Sequence, residues 1–369
     1  MLDLEETFVL DAVSHAYNLD ESNFRNERHA STSAEMVYGI FAEAMPPGTH
    51  PTPESYFRDW SIEEVANMLF LESDTDFSTF HPIPINAFYD GMVSTEKAQA
   101  AVEQWPERFI SYATIDPLGG EAALDDLEAQ VEAFDPIGLK LYPASYGSDY
   151  HDSYRMDDPD VAYPVYEKAR ELGIEIIAAH KALPLGPVPR EPYNPADIDE
   201  PAKNFPKLTF EIVHGGLAFT EETAWQVARY PNVRVNLETF GVLLAGGSEK
   251  AARMLGQLLS VGGKMAIDQL FWGSGAMAAH AQPQLEAFRD FSFSDELRRG
   301  EGIISELPEL TDEHKRKILG ENYADLVGLD IEAVQESIAD DEFSQRQAEE
   351  GRAPPFSTTD AEIDAGRPT

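Results

Sequence analysis

The chain contains no cysteine among its 369 residues, and that absence removes disulfides, thiolate catalysis and cysteine-ligated zinc together. No apolar run reaches the length of a membrane span. The start, MLDLEETFVLD, carries neither the basic segment nor the apolar stretch of a signal peptide. The expectation is a soluble cytoplasmic protein with no membrane partner. No G-x-G-x-x-G follows the first strand-like run, which removes the main signal of a dinucleotide fold. In LFWGSGAMAAH, residues 270 to 280, Trp272 stands where a G-x-S-x-G nucleophile elbow requires its first glycine. A phosphate loop needs more glycines and a lysine, so Ser274 reads as a turn residue.

Basic residues are scarce, and acid is abundant. Lysine and arginine number 27 against 67 aspartates and glutamates, a formal net charge of −40. Nucleic acid is excluded as a partner by that balance. The acids are spread along the whole chain instead of gathering in one tail, and such self-repulsion is tolerable when salt screens it. The composition therefore suits a halophilic, haloarchaeal-type protein in a cytoplasm of molar salt. Hydrophobic residues make up 43%, enough for a sizeable core.

Short β-rich apolar runs recur at residues 8–13, 76–83, 108–115, 137–142, 174–179, 208–213, 233–238 and 269–273, and most are followed by a stretch with helical periodicity. Eight strands alternating with helices predict an α/β fold of the (β/α)₈ TIM-barrel type, as one domain over residues 1–337. Residues 18–74 are too long for an ordinary strand-to-helix connection and read as a helical lid inserted after the first strand. Residues 338–369 read as an irregular, acidic, polar tail, either a surface strap or disordered.

Catalytic groups of such a barrel come from the C-terminal ends of the strands. Those ends carry His15, His81, Asp116, Lys140, His180, His214, Glu238 and Ser274 in turn. Asp116, before a proline, is a turn former. Converging imidazoles suit a divalent metal or proton transfer. Lys140 lies in an otherwise apolar strand, where an ammonium is costly unless it opens into a polar cavity or pairs with an acid such as Glu238.

The runs WPERFISYATIDP, GLKLYP, IIAAHKALP, FPKLTFEIVHGG, PNVRVNLE and LTDEHKRKILGENYADLVGLD, in this order, resemble the amidohydrolase-related family. Its relevant branch includes aminocarboxymuconate semialdehyde decarboxylase, resorcylate-type decarboxylases and several lactone hydrolases. The resemblance covers residues 7 to 330. It implies a divalent metal, zinc or manganese, held by His15 and His180, and it implies a homodimer and no organic cofactor. The family's first strand ends D-x-H-x-H and its eighth G-S-D; here Val13 replaces one histidine and Gly275 the aspartate. Asp11, His81, Glu238 and His280 are candidates to substitute, or the site works without metal.

Three functions remain open on these residues. The first is hydrolysis of a lactone, amide or similar bond in a small carboxylate-bearing substrate. There His214, Lys140, Glu238 and His280 are catalytic, while His81, Tyr17 and the lid arginines Arg25 and Arg28 bind substrate. The second is nonoxidative decarboxylation of an aromatic or muconate-like acid, and the third is an inactive barrel used as sensor or scaffold.

Overall fold

The computed structural model describes residues 2–144, 153–186, 188–303 and 306–363. Strands β1 (Leu10–Ser14), β2 (Phe77–Phe80), β3 (Phe109–Thr114), β4 (Gly138–Leu141), β5 (Ile176–Ala179), β6 (Thr209–Ile212), β7 (Val233–Asn236) and β8 (Leu270–Phe271) are the eight expected, each shorter than the apolar run that marks it. They pair in parallel and in sequence order. Both faces of such strands are covered, so nearly every strand residue is buried and the sequence reads as apolar runs without alternation.

The barrel closes where β8 returns to β1. Ala12 N–H donates to the Trp272 carbonyl at 3.1 Å, and Gly275 N–H donates to Val13 at 3.0 Å. Between Asp11 and Ser14 the register against β2 slips. A bulge of this kind re-aims side chains at a barrel rim, and here it precedes His15. The chain is a (β/α)₈ barrel.

Residues 18–74 carry helices Glu27–Ala44, Pro53–Tyr56 and Ile62–Phe70. The first presents Ala30, Ala34, Val37 and Phe41, a stripe at helical spacing, to a cluster that includes Ala276, Ala278 and Val242. Met36 Sδ accepts from Gly186 N–H at 3.2 Å. The helix thus crosses above the ends of β5, β7 and β8. Ser61 and Glu64 form a reciprocal capping box at the start of the third helix.

The C-terminal segment takes the surface-strap alternative and adds a helix to it. Asp341 caps a helix at Glu342–Glu350, and Phe343 is buried. Residues 351–363 then strap across the insertion, where Thr52 N–H donates to the Glu362 carbonyl at 2.7 Å. Residues 364–369 of the predicted tail lie outside the described residues. The strap is held by backbone and carboxylate hydrogen bonds more than by apolar periodicity. Among the described residues no helix is long and apolar enough to cross a membrane.

Candidate active site

Asp11 and Ser274 join the two ends of the barrel. The buried Asp11 carboxylate accepts from Ser274 N–H at 2.9 Å, from Val13 N–H at 3.1 Å and from the Ser274 hydroxyl. Burial pushes its carboxyl up to about 6 against those bonds. Ser274 is a clasp between β8 and β1.

Just past the bulge, His15 Nδ1 meets the His81 carbonyl at 2.8 Å. A carbonyl only accepts, so Nδ1 carries the proton and Nε2 is a bare lone pair. Burial lowers the His15 pKa to about 4, with Glu238 opposing and Lys140 and His214 reinforcing. His15 is a neutral base at neutral pH. Tyr17 stacks on it at 5.4 Å. His81 is fully buried, 4.3 Å from the Tyr112 ring and 6.1 Å from His15. Among the described residues neither of its nitrogens has a well-formed hydrogen bond, though the Ala12 backbone lies near enough to oppose the fall in its pKa that burial and Lys140 cause.

His180 and His214, which follow β5 and β6 closely, form a chain whose protons can be counted. His180 Nε2 lies 2.8 Å from the Leu183 carbonyl and must donate to it. In a neutral ring Nδ1 is then bare, and it accepts from His214 Nε2 at 2.7 Å. That places the His214 proton on Nε2 and leaves its Nδ1 bare. Facing this nitrogen are Thr239 Oγ1 at 3.3 Å and, in contact though off the line of an ideal hydrogen bond, Glu238 Oε2. Two lone pairs repel unless a proton lies between them, so the Glu238–His214 pair holds one proton. Burial agrees: it raises the Glu238 carboxyl and drives both imidazoles well below their ordinary range. His214 and Thr239 sit at φ 73° and 77°, a strain that concentrates at functional sites.

Lys140 projects from β4 and is 1% exposed. Its Nζ makes no hydrogen bond or ion pair among the described residues, and it lies 5.6 Å from the centre of the Tyr142 ring. Burial lowers its pKa to about 8, while Glu211 and Glu238 oppose the fall. Glu211, in mid β6, accepts from Tyr112 OH at 2.9 Å and Asn236 Nδ2 at 2.8 Å. Inspection of strand ends misses Glu211, yet an acid inside the apolar run LTFEIV is the signal for it.

Gly275 stands at φ 68°, and a Cβ there would lie 2.6 Å from Glu238 Oε1. The carboxylate of Glu238 therefore fills the space beside residue 275. His280 does not reach this cluster. Its Nε2 pairs with the fully buried Glu72 at 2.9 Å and its Nδ1 accepts from Gln282 N–H at 3.1 Å, because it caps the helix Ala281–Asp290. Arg25 and Arg28 also stand apart. Both are exposed, and Arg25 donates to the Tyr89 carbonyl at 3.1 Å on the rim of an open pocket shared with Asn86 and Asp116.

The residues present do not fit the divalent metal expected on His15 and His180. Both His180 nitrogens are spent on protein partners, Asp11 is held by Ser274, and residues 13 and 275 offer no ligand atoms. Among the described residues no group of three or more histidines, aspartates or glutamates is placed to hold a metal.

Comparison with known proteins agrees with this architecture. An uncharacterized TIM-barrel protein from Bordetella bronchiseptica is 18% identical over 87% of this chain and 98% of its own, with TM-score 0.58. The 5-carboxyvanillate decarboxylase of Sphingomonas paucimobilis is 14% identical over 88% of this chain and 100% of its own, with TM-score 0.55. That of Novosphingobium aromaticivorans, crystallised with manganese, is 12% identical over 88% of this chain and 98% of its own, with TM-score 0.52. No curated protein matches. The family model for amidohydrolases matches residues 90–329, a span that holds β3 to β8 with Lys140, His180, His214 and Glu238. The chain belongs to the amidohydrolase family.

Proposed function

We propose that the protein hydrolyses a lactone, amide or similar bond in a small carboxylate-bearing substrate, using acid–base groups of its own chain. One arrangement carries this: His15 with a bare imidazole nitrogen, Lys140 with no hydrogen bond or ion pair among the described residues, and Glu238 in contact with His214 lie together in one buried cluster at the strand ends. Lys140 holds the substrate carboxylate. His15 Nε2 takes a proton from water as its oxygen attacks the carbonyl carbon. The bond to the leaving oxygen or nitrogen breaks, and that atom receives the proton of the Glu238–His214 pair. A base of pKa about 4 is weak in the resting site. His15 then returns its proton to the emptied pair and the site is reset.

Decarboxylation is the second reading, favoured by the same stored proton, since protonation at carbon needs an acid in place and no activated water. A panel of small lactones, amides and aromatic acids, followed in parallel by chromatographic separation of the products and by carbon dioxide release, separates the two. Cleavage products without carbon dioxide support hydrolysis. Carbon dioxide release replaces it with decarboxylation, and turnover of neither class sinks both.

A further inference from the structure

The residue after His180 is a buried lysine that the chemistry above does not use. Lys181 Nζ donates to Asp197 Oδ2 at 2.8 Å and to the Pro192 carbonyl, and both side chains of the ion pair are essentially inaccessible. A buried pair of this kind returns little stability over a well-packed apolar substitute, since desolvation offsets its attraction. Its place in the chain suggests another use. Lys181 opens the turn whose third residue, Leu183, gives His180 its carbonyl partner. The middle residue, Ala182, is held at φ 65°, a conformation unfavourable for a non-glycine residue and so in need of support from outside the turn. That support is the 192–197 segment, which receives Lys181 and whose Tyr193 carbonyl accepts from Ala182 N–H at 2.8 Å. Asp197 is in turn fixed by Met156 N–H at 3.0 Å.

We propose that Lys181 and Asp197 are positioning residues: their ion pair aims the Leu183 carbonyl at His180 Nε2 and thereby sets the tautomer of His180 and the direction of the proton chain to His214 and Glu238. The proposal rests on that proton chain and is independent of which bond the enzyme breaks.

Nitrogen-15 spectra of the histidine rings test it without a substrate, with the His180 signals identified by their loss in His180→Gln. The intact protein is expected to show His180 protonated at Nε2 and bare at Nδ1. In the Lys181→Met/Asp197→Leu protein, which removes both charges, the His180 nitrogens are expected to shift toward averaged values while the circular dichroism spectrum is kept. Asp197→Asn, which keeps the side-chain volume and removes the ion pair, is expected to shift the His180 nitrogens in the same direction and is the variant read if the double variant does not fold; unchanged His180 signals there would equally overturn the proposal. A folded double variant with unchanged His180 signals would overturn the proposal, as would an averaged His180 in the intact protein. The first result leaves the hydrolytic reading intact; the second also removes the proton order on which that reading draws, and turnover then decides it separately.

Discussion

Nε2 of His214 lies 2.7 Å from Nδ1 of His180, and one hydrogen bond thus joins the ends of neighbouring strands β5 and β6. Its direction follows from the Leu183 carbonyl on the far side of His180, and it leaves the next proton to be shared by His214 and Glu238.

Replacing that shared proton's carboxyl tests its use. Glu238→Gln keeps the side-chain volume and removes the acid, so kcat/KM is expected to fall by roughly 10²–10⁴, the usual worth of a positioned acid or base. Thermal stability should change little. Steady-state kinetics on whichever substrate turns over checks this, and an unchanged rate removes Glu238 from the chemistry.

Gly275 and Glu238 compete for one volume. In Gly275→Ala the new Cβ would meet Glu238 Oε1 at 2.6 Å, at a backbone φ of 68°. The carboxylate is expected to be pushed off His214, with activity falling as in Glu238→Gln and a stability loss of about 1–3 kcal/mol from overpacking. The two substitutions should be less than additive in activity; full additivity shows that they act separately.

Lys140 offers a stability test with a definite sign. Its folded pKa is about 8 against 10.5 when unfolded, so between these values the unfolded chain binds more protons and stability rises with pH. Below pH 8 the buried charge costs on the order of 3 kcal/mol. Lys140→Met is therefore expected to be more stable than the parent at pH 7, to lose that advantage towards pH 10.5, and to be inactive. Urea melts at both pH values measure the difference, and a destabilised Met variant at pH 7 contradicts it.

The strap holds the insertion through Glu72. Its carboxylate accepts from Phe356 N–H, Thr358 N–H and the Thr358 hydroxyl, each at 2.6 Å, besides His280, and Phe356 packs 6.4 Å from Trp60. A chain ended at residue 350 leaves Glu72 with His280 alone, and each buried acceptor deprived of its partner costs about 1–3 kcal/mol. A lowered melting temperature is expected, together with faster amide exchange in the helix Glu27–Ala44. Unchanged exchange there would show the strap to be decorative.

Charge repulsion at −40 predicts that stability increases with salt up to the molar range. Chemical melts in rising potassium chloride check it, and a midpoint insensitive to salt contradicts a halophilic origin.

Strand number, strand order and the barrel class were legible in the chain because buried parallel strands leave apolar runs that need no knowledge of their neighbours. The strand-end groups His15, Lys140, His180, His214 and Glu238 were legible for the same reason, since ionisable residues stand out against such runs. Partnership was not. His280 follows the eighth strand closely, yet it pairs with Glu72, 208 residues away. Lys140, which the sequence offered as a partner for Glu238, makes no ion pair among the described residues. Gly275 registered only as a missing acid, while in space it makes room for one. A linear pattern carries burial and local conformation, which act over a few residues. The tautomer of a histidine, the company of a lysine and the side of a strand end on which a carboxylate sits depend on barrel closure, on the β1 bulge and on loops far apart in sequence, and those only the tertiary structure decides.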